Sequence, residues 1–439
     1  MNDDYRSVPI DHESAEQLRS QSLKLGLVDT GDTGVFVPWL AAVTRGFHGR
    51  RASEESTAEE VSGLDMRRST GVWDDTALDP IVPVATVSSW PTPLTVPGER
   101  SVTAWAISAV TVSPAYRRRG IAKALLEAEL RTAHSLGVPV AILTVSEATI
   151  YSRFGFAPAA LSADLTIDAR QVRWVGPAPS GRVQFISPEQ LRGEGQALME
   201  RARVLSPGEI EMPQYKWDQV LGLAGDKDAA KSLRAIRYDD REGTPQGFAI
   251  YRVDDTGPHD AAQVLDVQYL VSATDDAALG LWHYLLHLDL IGTVTAKLRA
   301  VDEPLAWLLS DARAVRKEER DLLWARILDV RAALEARRYA APGRIVLDVH
   351  DPLGVAEGRV LIDINDTGTA EVIPLIGEAP EGAAELELTV NELSALYLGG
   401  VSAVTLARAG RVTELRPGSA VSVDTSFRSA VAPWLSFWF

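Results

Sequence analysis

The pattern of hydrophobic and polar positions predicts alternating strands and helices in the first part of the chain. The runs IVPVATVSSW, TPLTVP and VTAWAISAVTVSP are typical of strands, and the polar stretch RRASEESTAEEVSGLDMRRSTGVWDDTALDP predicts a helix followed by a loop. In AYRRRGIAKALLEAELRTAHSLG, the apolar residues Ile121, Leu125 and Ala128 recur at helical spacing, and Gly137 ends the helix. VPVAILTVS then predicts a buried strand. Strand, helix and strand in this order indicate a βαβ unit.

Two further blocks follow a segment that contains Pro and Gly near residues 168–182, which predicts a domain boundary. The second block again mixes predicted strands, such as PQGFAIYRVDD, with a helix capped by Thr274, and this suggests a duplicated fold without a residue-level repeat. The third block, from LLWARILDVRAALEARRYA onward, predicts a small α+β domain. We therefore expect a mixed α/β and α+β protein with domains at residues 1–168, 169–320 and 321–439.

The composition narrows the possible classes of protein. The chain has 439 residues, of which 46% are hydrophobic and 24% charged, as in ordinary globular proteins. It contains no Cys, which excludes disulfides, thiolate metal sites and a Cys nucleophile, and no metal-ligand spacing is found. The net charge of −16 argues against nucleic acid as a partner. It suits a cationic ligand, although an acidic surface that aids solubility is the simpler explanation.

Two features of the sequence concern the membrane and the cell compartment. No stretch of about 18 apolar residues occurs, so we expect no membrane span. The start, MNDDYRSVPIDHESAEQL, is polar and acidic and lacks the basic and apolar pattern of a secretory signal. We therefore expect a cytoplasmic protein.

The most informative stretch is the turn between the strand that ends at Val112 and the helix that follows. Backbone N–H groups at a helix N-terminus are unpaired and favour an anion, and Gly lets a phosphate approach closely. Arginines add bidentate contacts to phosphate. A lone basic triplet is usually a solvated patch, but its place between a strand and an amphipathic helix favours a pyrophosphate site. The residues of this turn are Arg117, Arg118, Arg119, Gly120, Ile121, Ala122 and Lys123.

Together with ILTVSEATIYSRFGFAPA, this turn resembles the acetyl-CoA-binding motifs of the GCN5-related N-acetyltransferases (GNAT enzymes). The R-x-x-G-x-G/A motif of that superfamily holds the pyrophosphate, and YSRFGF resembles its Y-x-x-x-G-F motif. Ala122 replaces the last Gly, which the motif allows, and Ser146 stands where many members have Asn.

The segments LTVPGE, FAIYRVD, LLWARILDVRAALEARRYA and ALYLGG extend the resemblance over nearly the whole chain. They are similar to segments of the Eis (enhanced intracellular survival) family of actinobacterial acetyltransferases. This resemblance implies two tandem GNAT-like domains, of which only the first binds acetyl-CoA. A domain similar to sterol carrier protein would follow them.

The resemblance also implies roles for residues on both sides of the turn. Backbone groups of Val110, Thr111 and Val112 would bind the pantetheine arm and the thioester. The alternative is that Val110 and Val112 are only core residues of the strand, and both can hold because the contacts are made by the main chain. Ser146 and Glu147 would lie beside the pantetheine. Tyr151 would protonate the leaving thiolate, which is workable because a Tyr has a pKa of about 10 and a thiol about 8.5. The alternative for Tyr151 is a core aromatic residue.

The sequence ends in AVAPWLSFWF, an unusually aromatic tail. In the Eis family the C-terminal carboxylate serves as the general base, and here that would be the carboxylate of Phe439. A free α-carboxylate has a pKa of about 3.5, so a base role requires burial among the aromatic residues. Alternatively, the tail only completes the core of the third domain. We expect Phe47 and Trp438 to bind the substrate, in an aromatic pocket that favours an apolar amine.

We therefore expect an acetyl-CoA-dependent N-acetyltransferase that acts on amines of aminoglycoside-type or other polyamine small molecules, without a metal. Trp438 and the segment TRGFHGR depart from the acidic residues that some members place around the pocket. The alternatives are a protein lysine acetyltransferase and a lipid-binding protein with a secondary GNAT domain. The second block lacks the pyrophosphate turn, so we expect one acetyl-CoA site per chain. By resemblance, we expect a homo-hexamer built from two trimers.

Overall fold

A computed structural model describes residues 3–50, 53–254 and 262–439. The first unit contains short 3-10 helices at Asp3–Arg6, Pro114–Tyr116 and Ser152–Phe154. Its other elements are α1 (His12–Arg19), β1 (Lys24–Val28), α2 (Thr33–Gly46), α3 (Glu54–Leu64), β2 (Arg68–Trp73), β3 (Ala85–Val96), β4 (Arg100–Val112), α4 (Ile121–Ser135), β5 (Val140–Thr144), α5 (Ala148–Tyr151) and β6 (Ala157–Asp168).

The second unit has 3-10 helices at Pro304–Trp307 and Ala312–Ala314. Its other elements are β7 (Arg182–Ile186), α6 (Pro188–Arg203), α7 (Gln214–Val220), α8 (Lys227–Ala230), β8 (Leu233–Asp239), β9 (Pro245–Asp254), β10 (Gln263–Ser272), α9 (Asp275–Leu286), β11 (Ile291–Arg299) and β12 (Val315–Ile327). The third unit consists of α10 (Val330–Ala336), β13 (Gly343–His350), β14 (Gly358–Ile364), β15 (Ala370–Pro374), β16 (Ala384–Thr389), α11 (Val390–Leu396), α12 (Ala403–Arg408), β17 (Val412–Glu414) and α13 (Ser419–Phe427).

One sheet runs through the first and second units. In the described residues it has twelve strands in the order β1-β2-β3-β4-β5-β12-β6-β11-β10-β9-β8-β7. Strand β12 comes from the end of the second unit and inserts between β5 and β6 of the first, antiparallel to both. The domain boundary expected between residues 320 and 321 therefore falls inside a strand, while the boundary after residue 168 coincides with the end of β6.

The predicted βαβ unit is present as β4, α4 and β5. Helix α4 buries the face that the sequence pattern indicated, with Ile121 1%, Leu125 0% and Ala128 7% exposed. Burial of each leucine-sized side chain contributes roughly 1.5–3 kcal/mol to stability. This packing fixes the start of α4 relative to the ends of β4 and β5.

Strands β4 and β5 separate towards their carboxyl ends. They pair in parallel from Ala104 with Val140 to Ile107 with Leu143, and no pairing between them follows in the described residues. Just beyond Ile107, β4 contains a bulge at which Ala109 has a φ of +53°, and the Thr86 hydroxyl donates to the Ala109 carbonyl at 2.7 Å. The result is an open wedge between the two strands, with main-chain groups along its edges.

The third unit is built on a five-stranded sheet in the order β15-β14-β13-β16-β17. It packs on the large sheet through buried polar contacts. The Arg326 guanidinium of β12 lies 2.6 Å from the Asp351 carboxylate, and both side chains are buried. Asn391 of α11 donates to the Phe156 carbonyl at 2.8 Å. These contacts join the unit rigidly to the sheet that carries the wedge.

Several elements of the first unit were not predicted from the sequence, among them α2 and β2. The polar stretch expected to be a helix and a loop contains α3, but strand β2 follows it instead of a loop. Helix α2 was not expected; it begins after Asp32, whose carboxylate accepts from the Gly34 amide at 2.8 Å. Strand β2 was missed because RRSTGVW lacks a strict apolar alternation, although most of its side chains are buried between neighbouring elements. Among the described residues, no helix is long and apolar enough to cross a membrane.

Candidate active site

The turn before α4 has the backbone geometry of an anion site. Gly120 lies in the left-handed region, with a φ of +74°, and it caps α4 without a side-chain hydrogen bond to the helix. The first N–H groups of the helix, at Ile121, Ala122 and Lys123, therefore keep their full capacity to bind a ligand. Arg118 also has a positive φ, of +62°, so the loop curls around this position.

The three arginines of the turn have different surroundings. Arg119 donates to the Gln21 carbonyl at 3.1 Å and lies over the ring of Tyr116, so it ties the turn to the N-terminal segment. Arg117 and Arg118 are exposed, and no hydrogen bond or ion pair of their side chains is found within the described part of the chain. Two arginines are thus available to an anionic ligand.

The predicted pantetheine residues lie along the wedge. Val110 and Val112 are half-buried and pack on the core, and the polar groups that they can offer to a ligand are those of the main chain. Thr111 is buried, and its hydroxyl lies 2.6 Å from that of Thr86. Ser146 and Glu147 follow the end of β5 on the opposite edge of the wedge, and both are exposed.

Tyr151 is buried at the end of α5, with 7% of its side chain exposed. Its ring meets Phe156 edge to face, with 6.3 Å between the centroids. Burial, with a smaller contribution from the charge of Glu147, raises the pKa of Tyr151 to about 12. The phenol therefore keeps its proton at neutral pH.

The tail of the chain crosses from the third unit to the first. The indole of Trp434 donates to the Leu298 carbonyl at 2.7 Å, and the hydroxyl of Ser436 lies 2.9 Å from that of Tyr269. At the end of the tail, the Thr144 hydroxyl donates to the main-chain oxygen of Phe439 at 3.0 Å. The Phe439 ring meets Trp90 edge to face at 5.5 Å. Phe439 therefore lies at the carboxyl end of β5, beside the wedge.

A pocket of about 330 Å³, here called the acceptor pocket, opens where the tail meets the wedge. It reaches Ser108 and Ala109 at the bulge of β4, and Phe47 and Trp438 both line it. Sequence reasoning missed most of its lining because those residues carry no motif and come from distant parts of the chain. The further lining residues are Trp39, Leu40, Val43, Thr44, Glu60, Leu64, Arg67, Ser88, Tyr215, Lys216, Gln219 and Phe439.

A larger cleft of about 910 Å³ adjoins the acceptor pocket and shares Glu60, Tyr215 and Gln219 with it. Its lining is acidic. Among the described residues that line it, Arg192 is the only basic one, and it is paired with the Asp218 carboxylate at 2.6 Å. We call it the acidic cleft; its carboxylate residues are Glu59, Glu60, Asp65, Glu211 and Asp218.

A strand wedge that opens onto an uncapped helix N-terminus is the architecture of the GNAT acetyltransferases. Two family models described as acetyltransferase (GNAT) domains match residues 32–159 and 208–332, and a sterol carrier protein domain matches residues 330–436. The duplicated fold and the third domain expected from the sequence are thus confirmed. The chain is an acetyltransferase of the GNAT class, and enzymes of this class use acetyl-CoA.

Relatives define the family more closely. An uncharacterized N-acetyltransferase of Streptomyces avermitilis is 36% identical over 90% of this chain and 94% of its own length. The N-acetyltransferase Eis of Mycobacterium tuberculosis is 36% identical over 79% of this chain and 83% of its own. The crystal structure of Eis1 from Mycobacterium abscessus matches with a TM-score of 0.79 and 28% identity, covering 95% of this chain and all of that one. The chain belongs to the Eis family of GNAT acetyltransferases.

Residues 3–50, 53–254 and 262–439 contain no group of three or more His, Cys, Asp or Glu side chains placed to hold a metal ion.

Proposed function

We propose that this protein transfers an acetyl group from acetyl-CoA to an amine of a small molecule held in the acceptor pocket. The observation that carries the proposal is the position of Phe439. Its main-chain oxygen is held by Thr144 at the end of β5, and it lines a pocket that reaches the bulge of β4. The acceptor amine, the thioester and the tail would then meet at one place.

The residues of the turn and the wedge fit acetyl-CoA. The N–H groups at the start of α4, with Arg117 and Arg118, would hold the pyrophosphate. Gly120 allows this approach because its left-handed backbone is open to Gly without strain. The pantetheine arm would lie in the wedge against main-chain groups of Val110 and Val112, beside Ser146 and Glu147.

The proposed chemistry uses two groups of this chain for proton transfer. The carboxylate of Phe439 accepts a proton from the acceptor ammonium, and the freed nitrogen lone pair attacks the thioester carbonyl carbon. The N–H of Val112 stabilises the developing oxyanion. As the C–N bond forms and the C–S bond breaks, Tyr151 gives its proton to the departing sulfur. An N-substituted acetamide and coenzyme A thiol are the products.

A polyamine or aminoglycoside-type acceptor is a second candidate, because the acidic cleft adjoins the acceptor pocket. Its carboxylates would attract the additional ammonium groups of such a molecule while one amine enters the pocket. Against it, Trp438 and Phe47 place aromatic surface at the pocket itself. A homo-hexameric assembly and a cytoplasmic location complete the proposal, and both rest on the family resemblance.

A thiol-release assay with acetyl-CoA and a panel of amines tests the proposed function, with mass spectrometry to identify the acetylated product. We expect Thr144→Val and deletion of Phe439 to lower kcat by about tenfold to a hundredfold, since both displace the proposed base. The affinity for coenzyme A should stay unchanged. Thr425→Val, an exposed exchange on α13, is the matched control. Full activity in both variants would remove Phe439 from the mechanism.

A further inference from the structure

Arg67 is a buried cation in the wall of the acceptor pocket. Only 6% of the residue is exposed, and its guanidinium stacks on the face of Trp90 at 3.8 Å from the ring centroid. One terminal nitrogen donates to the Tyr215 hydroxyl at 2.7 Å, and the other makes a long contact of 3.4 Å with the Ser88 hydroxyl. Its Nε–H is buried without a hydrogen-bond partner.

In the part of the chain that the structure describes, no carboxylate lies within 4.0 Å of this guanidinium. An arginine cannot lose its proton under ordinary conditions, so its charge persists in the pocket wall. A buried charge that lacks a counter-ion is costly, and stacking on an aromatic face offsets only part of that cost. An anion that enters the pocket would therefore be bound strongly.

Lys216 is a second cation in the same pocket. It lies half-buried on α7, and burial together with the charge of Arg67 lowers its pKa. The acidic groups that face these two cations are Glu60, whose pKa burial raises, and the carboxyl group of Phe439. Neither forms an ion pair with Arg67 or Lys216 among the described residues, and Thr144 holds the Phe439 oxygen instead.

We propose that Arg67 and Lys216 form a subsite for a carboxylate of the acceptor, so that the natural acceptor is a small molecule with both an amine and a carboxylate. This inference rests on the proposed function and names the acceptor class of the same pocket. It differs from the polyamine candidate, which needs no anionic group in the acceptor.

The pairing of β3 with β4 relates the position of Arg67 to the reacting edge of β4. Arg67 contacts Ser88 on β3, and Ser88 pairs with Ser108 on β4, next to the bulge at Ala109. Neighbouring strands lie about 4.8 Å apart, so a carboxylate at Arg67 is close to the reacting edge of β4. One small molecule can therefore place its carboxylate at Arg67 and its amine towards this edge, as an amino acid would.

The walls of the pocket indicate the rest of the acceptor. Trp39, Phe47 and Trp438 supply aromatic surface around its volume of about 330 Å³. Aromatic faces favour stacking with another ring. We therefore infer an α-amino acid with an aromatic side chain as the class of acceptor.

The experiment compares L-phenylalanine with phenethylamine, which differs only by the absence of the carboxylate. With the wild-type protein we expect kcat/KM to be at least about tenfold higher for L-phenylalanine, the effect of a hydrogen-bonded charge pair. Arg67→Met should abolish this preference, and Lys216→Met should reduce it. Thr425→Val, the exposed exchange on α13, leaves the pocket untouched and should retain it. The ratio of the two substrates is insensitive to a general loss of active protein.

Calorimetric titration of the full chain with L-phenylalanine, without acetyl-CoA, gives a readout that is independent of turnover. We expect binding to the wild type and weaker binding to Lys216→Met, the variant least able to disturb folding because its side chain is only half-buried. Equal kcat/KM for the two amines would overturn the carboxylate subsite and leave acetyl transfer intact. If no amine is acetylated at all, the proposed function fails, and the titration alone decides: binding that depends on Lys216 supports the subsite, and an absence of binding overturns it.

Discussion

Tyr151 holds its proton more tightly than a free phenol does. Burial beside Phe156 and the charge of Glu147 raise its pKa to about 12, so the hydroxyl is protonated throughout the neutral range. A proton donor with this property is available at every pH at which the enzyme would work. The same shift makes Tyr151 a poor general base.

Exchange of Tyr151 to Phe should lower kcat by about a hundredfold, because the leaving thiolate loses its proton donor. Because the pKa of Tyr151 lies near 12, loss of its hydroxyl should not shift the pH at which kcat rises or falls below pH 11. The exchange should lower only the plateau value of kcat. Steady-state kinetics between pH 6 and 10 measure this, with coenzyme A binding as the check on the fold. An unchanged plateau would exclude Tyr151 as the donor.

Burial has the same effect on a carboxyl group at Glu209, at the point where the tail passes the second unit. Burial raises the pKa of Glu209 to about 8, although hydrogen bonds from Ser436 and the charges of Arg203 and Arg299 lower it. The folded protein therefore keeps a proton that the unfolded chain releases near pH 4.5. The stability contributed by this proton is complete below about pH 4.5 and is lost as the pH rises to about 8.

Exchange of Glu209 to Gln should remove this pH dependence. We expect the Tm of the variant, relative to the Tm of the wild type, to be several degrees higher at pH 8.5 than at pH 5. Differential scanning calorimetry at the two pH values measures it. Glu211→Gln, an exposed exchange in the same region, controls for the loss of a carboxylate. A difference that does not depend on pH would show that Glu209 does not hold the proton.

At the scale of elements, the start of α4 depends on a single left-handed residue. Gly120 turns the chain directly before the helix, whose first N–H groups have no partner within the helix. The other end of the same helix offers a comparison, because Gly137 follows it with a φ of +69° and no neighbouring atom within 4 Å of an added Cβ. Both positions have a similar positive φ that a residue with a Cβ adopts only under strain, but only one lies at the proposed pyrophosphate site.

Gly120→Ala and Gly137→Ala should therefore destabilise the protein similarly, by about 1–2 kcal/mol each. Only Gly120→Ala should also weaken the binding of coenzyme A, by about tenfold or more, because the reshaped turn misplaces the helix N–H groups. Urea denaturation and calorimetry with coenzyme A measure the two effects. Equal losses of affinity in both variants would mean that the turn does not hold the pyrophosphate.

The elements of the βαβ unit could be predicted because their signals are local. The apolar spacing of α4, the run in β5 and the Arg-rich turn all lie within one continuous stretch of the sequence. Strand β12 could not be placed from its sequence, since its partners in β5 and β6 precede it by the whole second unit. The acceptor pocket shows the same limit: Arg67 and Lys216 meet only through the tertiary fold, and neither belongs to a motif.

At the scale of the whole molecule, the tail links all three units. The main chain of Trp434 donates a hydrogen bond to Pro207 and its indole donates one to Leu298, both in the second unit. Phe439 accepts a hydrogen bond from Thr144 of the first unit. The third unit therefore supplies the tail whose end lies beside the wedge, where we propose the active site. The tail is far in sequence from the wedge. The sequence could therefore suggest a role for Phe439, but it could not predict which residues Phe439 contacts.

Trp434→Ala should release the tail without disturbing the turn of α4. We expect a stability loss of about 2 kcal/mol, a kcat lowered about tenfold and an unchanged affinity for coenzyme A. Hydrogen–deuterium exchange of residues 434–439 should increase. Trp307→Ala, at a tryptophan that is 86% exposed, is the matched control. Faster hydrogen–deuterium exchange of the tail together with an unchanged kcat would show that the tail does not take part in catalysis.

The insertion of β12 also constrains how the protein is made. The ribosome completes the wedge-bearing unit of the sheet only after it has synthesised the entire second unit, because Val315–Ile327 fill the gap between β5 and β6. Until then the edges of both strands lack their partner and can pair with other chains. We therefore expect a fragment of the first 168 residues to expose two unpaired strand edges and to fold poorly without the second unit.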